Sequence, residues 1–134
     1  MESNAEFVPP WLHEATGESI VDVASRHGEW RPHRDGYPLR RLVIWTACRN
    51  GPQLTLFQIQ GQIDPRLFGR FLYPTGASFF VCRGTVTFEG NAANPGTTFQ
   101  VARGCSIEPS HTPGSVVLAY WTCAPYRRDR GFTD

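Results

Sequence analysis

Between its breakers the chain runs in short stretches that alternate apolar and polar side chains. Thr55, Phe57 and Ile59 share one face of an extended segment against Gln58 and Gln60 on the other, and Val86 and Phe88 oppose Thr85 and Thr87. A period of two places one face in a core and the other in a polar lumen or in water. Runs of this kind predict strands at 40–47, 53–60, 69–73, 78–83, 85–89, 97–102, 105–108 and 116–122. Gly84, Gly90 with Asn91, the NPG at 94–96, Gly104 and the TPG at 112–114 supply the turns between them. Many short strands between regular turns indicate an all-β sandwich or barrel, with a meander in the second half. The run SIVDVA at 19–24 reads as a short strand added at a sheet edge. Pro9, Pro10 and Trp11 read as an extended arm, and YRRDRGFTD at 126–134 as a polar, mobile tail.

Composition narrows the chemistry more than the fold. A chain of 134 residues is the size of one domain with one core. A net charge of +1 with 19% charged residues gives no electrostatic reason to expect nucleic acid or an anionic membrane as partner. All 13 basic residues are Arg, which removes a Schiff-base lysine, a lysine base and a P-loop lysine. Cys48, Cys82, Cys105 and Cys123 form no CxxC or CxxH pair, so four reduced thiols are expected rather than a structural zinc site. The start shows no secretory pattern and no run reaches the ~18 apolar residues of a span, so the expected location is the cytoplasm.

The order of features from Trp30 to Trp121 resembles the cupin superfamily, nearest to the small cupins related to anti-sigma-factor domains and to diketone- or ring-cleaving dioxygenases. WRPHRDGYPLRRL at 30–42 resembles their opening segment and LTLFQIQG at 54–61 the strand before the first motif. SFFVCRG at 78–84 resembles the E-x-x-V-L-x-G end of that motif, and VARGCSIEPSH at 101–111 the second motif. The resemblance implies a jelly-roll barrel of two antiparallel sheets over 30–124, preceded by an arm at 1–29 and followed by a tail at 125–134. It also implies two His and one Glu from the first motif and one His from the second as metal ligands. Counted back from Gly84, the Glu position falls on Ser78, and the H-x-H positions on Leu72 and Pro74 or on Phe71 and Tyr73. Only His111 survives, and one imidazole does not hold Zn²⁺ or Fe²⁺.

What remains for chemistry is His111, whose ordinary pKa suits a general acid or base, with Tyr73 as a hydrogen-bond donor and Glu108 as a proton-sharing neighbour. The plainer alternatives are a turn histidine, a packed aromatic and a solvated carboxylate. Phe57, Phe71, Phe80, Tyr120 and Trp121 are expected to line a pocket for an apolar or aromatic molecule, with Ser78 and Cys82 on the same interior face as Phe80. Cys82 reads more simply as a buried thiol, since no basic neighbour is visible to ionise it. Gln58 and Gln60 either offer amides to a ligand or form a solvated sheet face. The leading expectation is a metal-independent cyclase, isomerase or dehydratase without a cofactor, as a homodimer. The alternatives are a non-catalytic binding or sensor module, and a dioxygenase with ligands drawn from His13, His27, His33 and His111.

Overall fold

The alternation along Gln53–Ile59 makes a strand that buries both of its faces. The computed structural model describes residues 20–33, 36–64, 71–88, 90–106 and 110–127, with the backbone of 131–132. Its largest sheet has the order β1-β2-β3-β10-β5-β8, from β1 (Arg31–Pro32), β2 (Leu39–Thr46), β3 (Gln53–Ile59), β5 (Ala77–Arg83), β8 (Thr98–Val101) and β10 (Val116–Trp121). All its pairings are antiparallel. Two three-stranded sheets complete the barrel. One joins β12 (Gly131–Phe132), β11 (Tyr126–Arg127) and β4 (Phe71–Leu72), and the other joins β7 (Asn91–Ala93), β6 (Val86–Phe88) and β9 (Ser110–His111).

Residues directly opposite in an antiparallel pair share a face, so the register sorts side chains into two sets. Thr55 lies opposite Ala119, Ala119 opposite Phe79, and Phe79 opposite Phe99. This row faces inward, where Phe79, Val81, Val117, Ala119 and Trp121 meet Phe71 and Tyr73 from the first small sheet and its flank, and Val86 and Ala93 from the second. Leu42, Leu56, Leu118 and Phe80 form the neighbouring row on the other face. There Leu42, Leu56, Cys82 and Val116 pack against Ile20, Val21 and Ala24.

Those last three residues belong to a helix, α1 (Ile20–His27), where an edge strand was expected. A six-residue run with four apolar residues fits either period. Spaced at i, i+1, i+3 and i+4, Ile20, Val21, Val23 and Ala24 are all buried in one stripe, and the tertiary surface offered by the sheet selects the helix. Asp22 in the first turn accepts a hydrogen bond from Arg83 at 2.6 Å, which ties α1 to β5. No helix among the described residues is long and apolar enough to cross a membrane.

Residues 126–127 and 131–132 pair into the barrel. Tyr126 pairs with Leu72 and with Phe132, and Arg127 with Phe71 and with Gly131. The segment read as a polar tail therefore supplies the middle strand of a small sheet, because backbone pairing asks nothing of side-chain polarity.

Candidate functional site

The interior is a wall of stacked rings. Phe99 stacks on Phe79 at 5.0 Å and on Phe88 at 5.1 Å, while Tyr73 meets Phe79 edge-on at 5.9 Å. Trp121 lies 6.1 Å from Phe57 and 6.4 Å from Tyr73 between ring centroids. Offset and edge-on arrangements at these spacings are the favourable geometries of aromatic pairs. Every strand contributing a ring does so at an inward position of its alternation.

Beside the buried Thr55 hydroxyl, four polar groups of this inward face bear on its chemistry. His111 lies opposite Val86 in the ladder, and Val86 opposite Ala93, so the imidazole shares the inward face of a row whose other two members are buried in the aromatic cluster. Removal from water pushes its pKa down to about 4, which keeps it neutral at physiological pH. Tyr73 is buried, and burial pushes its phenol well above the ordinary value, so it stays a protonated donor. Arg127, 4% exposed, shares the face of Phe71 and donates from Nη1 to the Tyr37 hydroxyl at 2.9 Å. Tyr37 in turn stacks on His33 at 5.0 Å. Lastly, the Trp121 indole Nε1 is buried with no hydrogen-bond partner among the described residues.

Of the residues proposed from sequence, the structure brings His111, Tyr73, Phe57, Phe71 and Trp121 to one interior. Gln58, Ser78, Phe80, Cys82 and Tyr120 are corrected to the opposite face. Gln58 accepts a hydrogen bond from Arg40, whose guanidinium sits 4.6 Å from the Trp30 ring, on the outward side. Gln60 lies past the end of β3 and is exposed. Ser78 donates to the Gln100 side chain at 2.8 Å, opposite Tyr120, which is 40% exposed. Phe80 and Cys82 pack toward α1. Burial pushes the Cys82 thiol up to about 11, which makes it inert. The physical reason is that β5, ASFFVCR, carries apolar residues on both faces, so period two cannot say which set points inward. Glu108 and His13 lie outside the described residues.

Sequence reasoning missed Arg127 and Tyr37. Arg127 stands in a run of four charged residues, the usual mark of a solvated segment, and carried no signal of burial. Tyr37 sits in a Gly- and Pro-rich loop. The Ser78 bond to Gln100 is exposed, so Ser78→Ala is expected to change stability by less than about 0.5 kcal/mol in urea denaturation.

No protein-family profile matches the chain, and no curated protein does. Solved structures do. An RmlC-like cupin of Ralstonia eutropha superposes with a TM-score of 0.63 at 9% identity, over 81% of this chain and 73% of the other. An acetylacetone dioxygenase of Acinetobacter johnsonii gives 0.61 at 8% identity, over 73% and 70%. The chain has the cupin fold. A Rhodobacter sphaeroides complex of SigE with the anti-sigma ChrR also holds a similar chain, with a TM-score of 0.52 at 16% identity over 69% of this chain and 49% of that one.

The cupin frame asks whether these residues would hold a metal. The inward positions that correspond to the first motif are Phe71 and Tyr73, not Leu72 and Pro74, and at the start of β5 Ala77 points inward while Ser78 does not. A phenyl, a protonated phenol and a methyl group do not bind a divalent ion. His27 ends α1 on the outward side, and among the described residues no three of His, Cys, Asp or Glu come together as a ligand set. These residues do not fit a metal centre.

Proposed function

We propose that this cupin binds an apolar or aromatic small molecule in its ring-lined interior and rearranges it by proton transfer, with His111 as the base and Tyr73 as the oxyanion donor. The observation that carries the reading is the pairing of His111 with Val86, which aims an imidazole into an aromatic interior whose metal-ligand positions hold Phe71, Tyr73 and Ala77. Burial keeps the imidazole in its neutral, proton-accepting form at physiological pH and lowers its basicity, so the transfer relies on Tyr73 stabilising the enolate. For a ketone substrate the α C–H bond breaks, its proton moves to His111, and the electron pair passes to the carbonyl oxygen as an enolate. The Tyr73 hydroxyl donates to that oxygen. Return of the proton to a different atom isomerises the substrate; alternatively the enolate carbon attacks a second carbonyl of the same molecule, whose π pair moves to its oxygen, and that alkoxide takes the proton back from His111.

Deuterium incorporation into aryl ketones such as 2-tetralone, followed by NMR in D₂O, tests this directly. Wild-type protein is expected to accelerate exchange over buffer, His111→Ala to lose on the order of 10²-fold or more, and Tyr73→Phe to lose less, both with native circular dichroism. No acceleration by wild-type protein across such a panel removes the catalytic reading. It leaves the second one, a ligand-binding sensor module, which the likeness to the chain in the anti-sigma complex favours.

A further inference from the structure

We infer that Trp121 is a binding residue of this interior, its indole N–H donating to a carbonyl oxygen of the bound molecule, and that the ligand carries this oxygen in addition to the one Tyr73 serves. The inference deepens the interior-binding reading and rests on it.

Two observations carry it, and the first is where the interior opens. One inward row of the large sheet runs through Val43, Thr55, Ala119 and Phe79 across β2, β3, β10 and β5. Thr55 and Ala119 are fully buried and Phe79 is 8% exposed, yet Val43 at the β2 end is 40% exposed. The inward face is therefore covered over β3, β10 and β5 and open over β2, the side from which a small molecule enters. Phe57 and Trp121 stand on this face one row to either side of Thr55 and Ala119. Four residues of extended chain separate their rows, about 13 Å, whereas their ring centroids are 6.1 Å apart. The two rings thus lean toward one another over the small residues between them. Phe57 is only half-buried, which places the pair at the inner edge of the opening. Tyr73 lies behind it, 6.4 Å from Trp121 and edge-on to Phe79.

The second observation is the indole itself. The Trp121 side chain is 6% exposed, and Nε1 is buried with no hydrogen-bond partner among the described residues. An indole nitrogen is a donor only, and buried donors are nearly always satisfied by protein, water or ligand. The neighbouring Thr55 hydroxyl already accepts from Gln53 Nε2, and the rings against Trp121 are those of Phe57 and Tyr73. A lone water held there needs about two to four polar partners, which this surround supplies poorly. A carbonyl on an otherwise apolar ligand needs only the one donor. With Tyr73 deeper and Trp121 nearer the opening, the two donors meet different oxygens of one molecule. Ring closure requires such a substrate: Tyr73 stabilises the enolate while Trp121 holds and polarises the second carbonyl.

The test uses the full chain with N-methylphthalimide and N-methylisoindolin-1-one, flat neutral molecules of nearly the same shape that differ in one carbonyl. Neither has a C–H bond α to a carbonyl carbon, so binding is read without turnover. By isothermal titration the imide is expected to bind roughly three- to tenfold more tightly than the lactam. In ¹H–¹⁵N spectra the Trp121 indole proton, assigned through its own ring, is expected at the upfield position of an unbonded N–H in the free protein. Saturation with the imide should move it downfield, and saturation with the lactam should move it less. Trp121→Phe, which keeps a ring and loses the donor, should bring the two affinities within about twofold of each other. If that variant does not fold by circular dichroism, the wild-type spectra decide alone. Equal binding of both compounds to wild type, or an indole proton that stays in place on saturation, overturns the role of Trp121 and leaves the interior-binding reading standing. So does a preference that survives in folded Trp121→Phe, or an indole proton already downfield in the free protein, the mark of a bound water. Binding of neither compound overturns both readings together.

Discussion

Acidification from pH 7 to pH 4 is expected to cost the fold on the order of 3 kcal/mol at most through His111 alone. Burial lowers this imidazole from 6.5 to about 4 in the folded state, while in the unfolded chain it titrates at its ordinary value. Between those two values the unfolded state takes up a proton that the folded state refuses, so stability falls as the pH drops through that window. Above about 6.5 neither state is protonated, and below about 4 both are, so the slope vanishes at each end. Carboxylates also begin to titrate near pH 4, so the comparison must be made with a variant. Urea denaturation at several pH values should show His111→Asn with a clearly shallower dependence between pH 6.5 and 4.5 than wild type. The same slope in both proteins would falsify the burial of a neutral imidazole.

The second large effect is expected at the hairpin between β5 and β6. Gly84 has φ of +76°, and a Cβ there would press on Ser115, lying 2.8 Å from its Cα and closer still to Oγ. Ser115 cannot yield readily. It is fully buried, its Oγ bonds to the Thr112 hydroxyl at 2.8 Å, and its carbonyl accepts from the backbone of Ile59 at 2.9 Å. Gly84→Ala therefore combines left-handed backbone strain with a steric clash, and roughly 2 to 4 kcal/mol of destabilisation is expected. Gly114 is the control. Its φ is +91°, but a Cβ there meets nothing within 4 Å. Gly114→Ala should thus show the strain alone, about 1 to 2 kcal/mol. Thermal melts of the two variants separate the contributions, with Gly84→Ala melting on the order of 5 °C or more below Gly114→Ala. Equal melting points would mean that Ser115 relaxes and that the hairpin is not held as tightly as its hydrogen bonds imply.

The Gly84 hairpin is also the clearest case of structure read correctly from sequence. A glycine between FFVC and TVTF is a turn signal on physical grounds, and its place in the chain is what made the cupin resemblance countable. The strands at 53–59, 77–83 and 116–121 follow their predicted positions to within a residue or so, because long alternating or apolar runs between breakers leave few other options. The short strands β1, β7, β9, β11 and β12 have two or three residues each, too few for any period to show.

The site was legible where a ring had a polar neighbour in its strand and illegible where its neighbours on the other face were as apolar as itself. Phe57 alternates with Gln58, and its inward placement follows. In β5 the two candidate sets, Phe79 with Val81 and Phe80 with Cys82, are chemically alike, and the choice between them depends on α1 covering the second set. That helix was itself hidden in a run too short to declare its period.

From its sequence alone this protein is an antiparallel barrel of many short strands, rich in rings and lacking the imidazoles that the first cupin motif would supply, because alternation, breakers and residue identity are local properties. Only the tertiary structure decided which rings face one another, that His111 points at them, and that Arg127 joins them. Those facts depend on ladder partners distant in the chain, Val86 with His111 and Phe71 with Arg127, and no local pattern encodes a register set by strands that meet only once the sheets close.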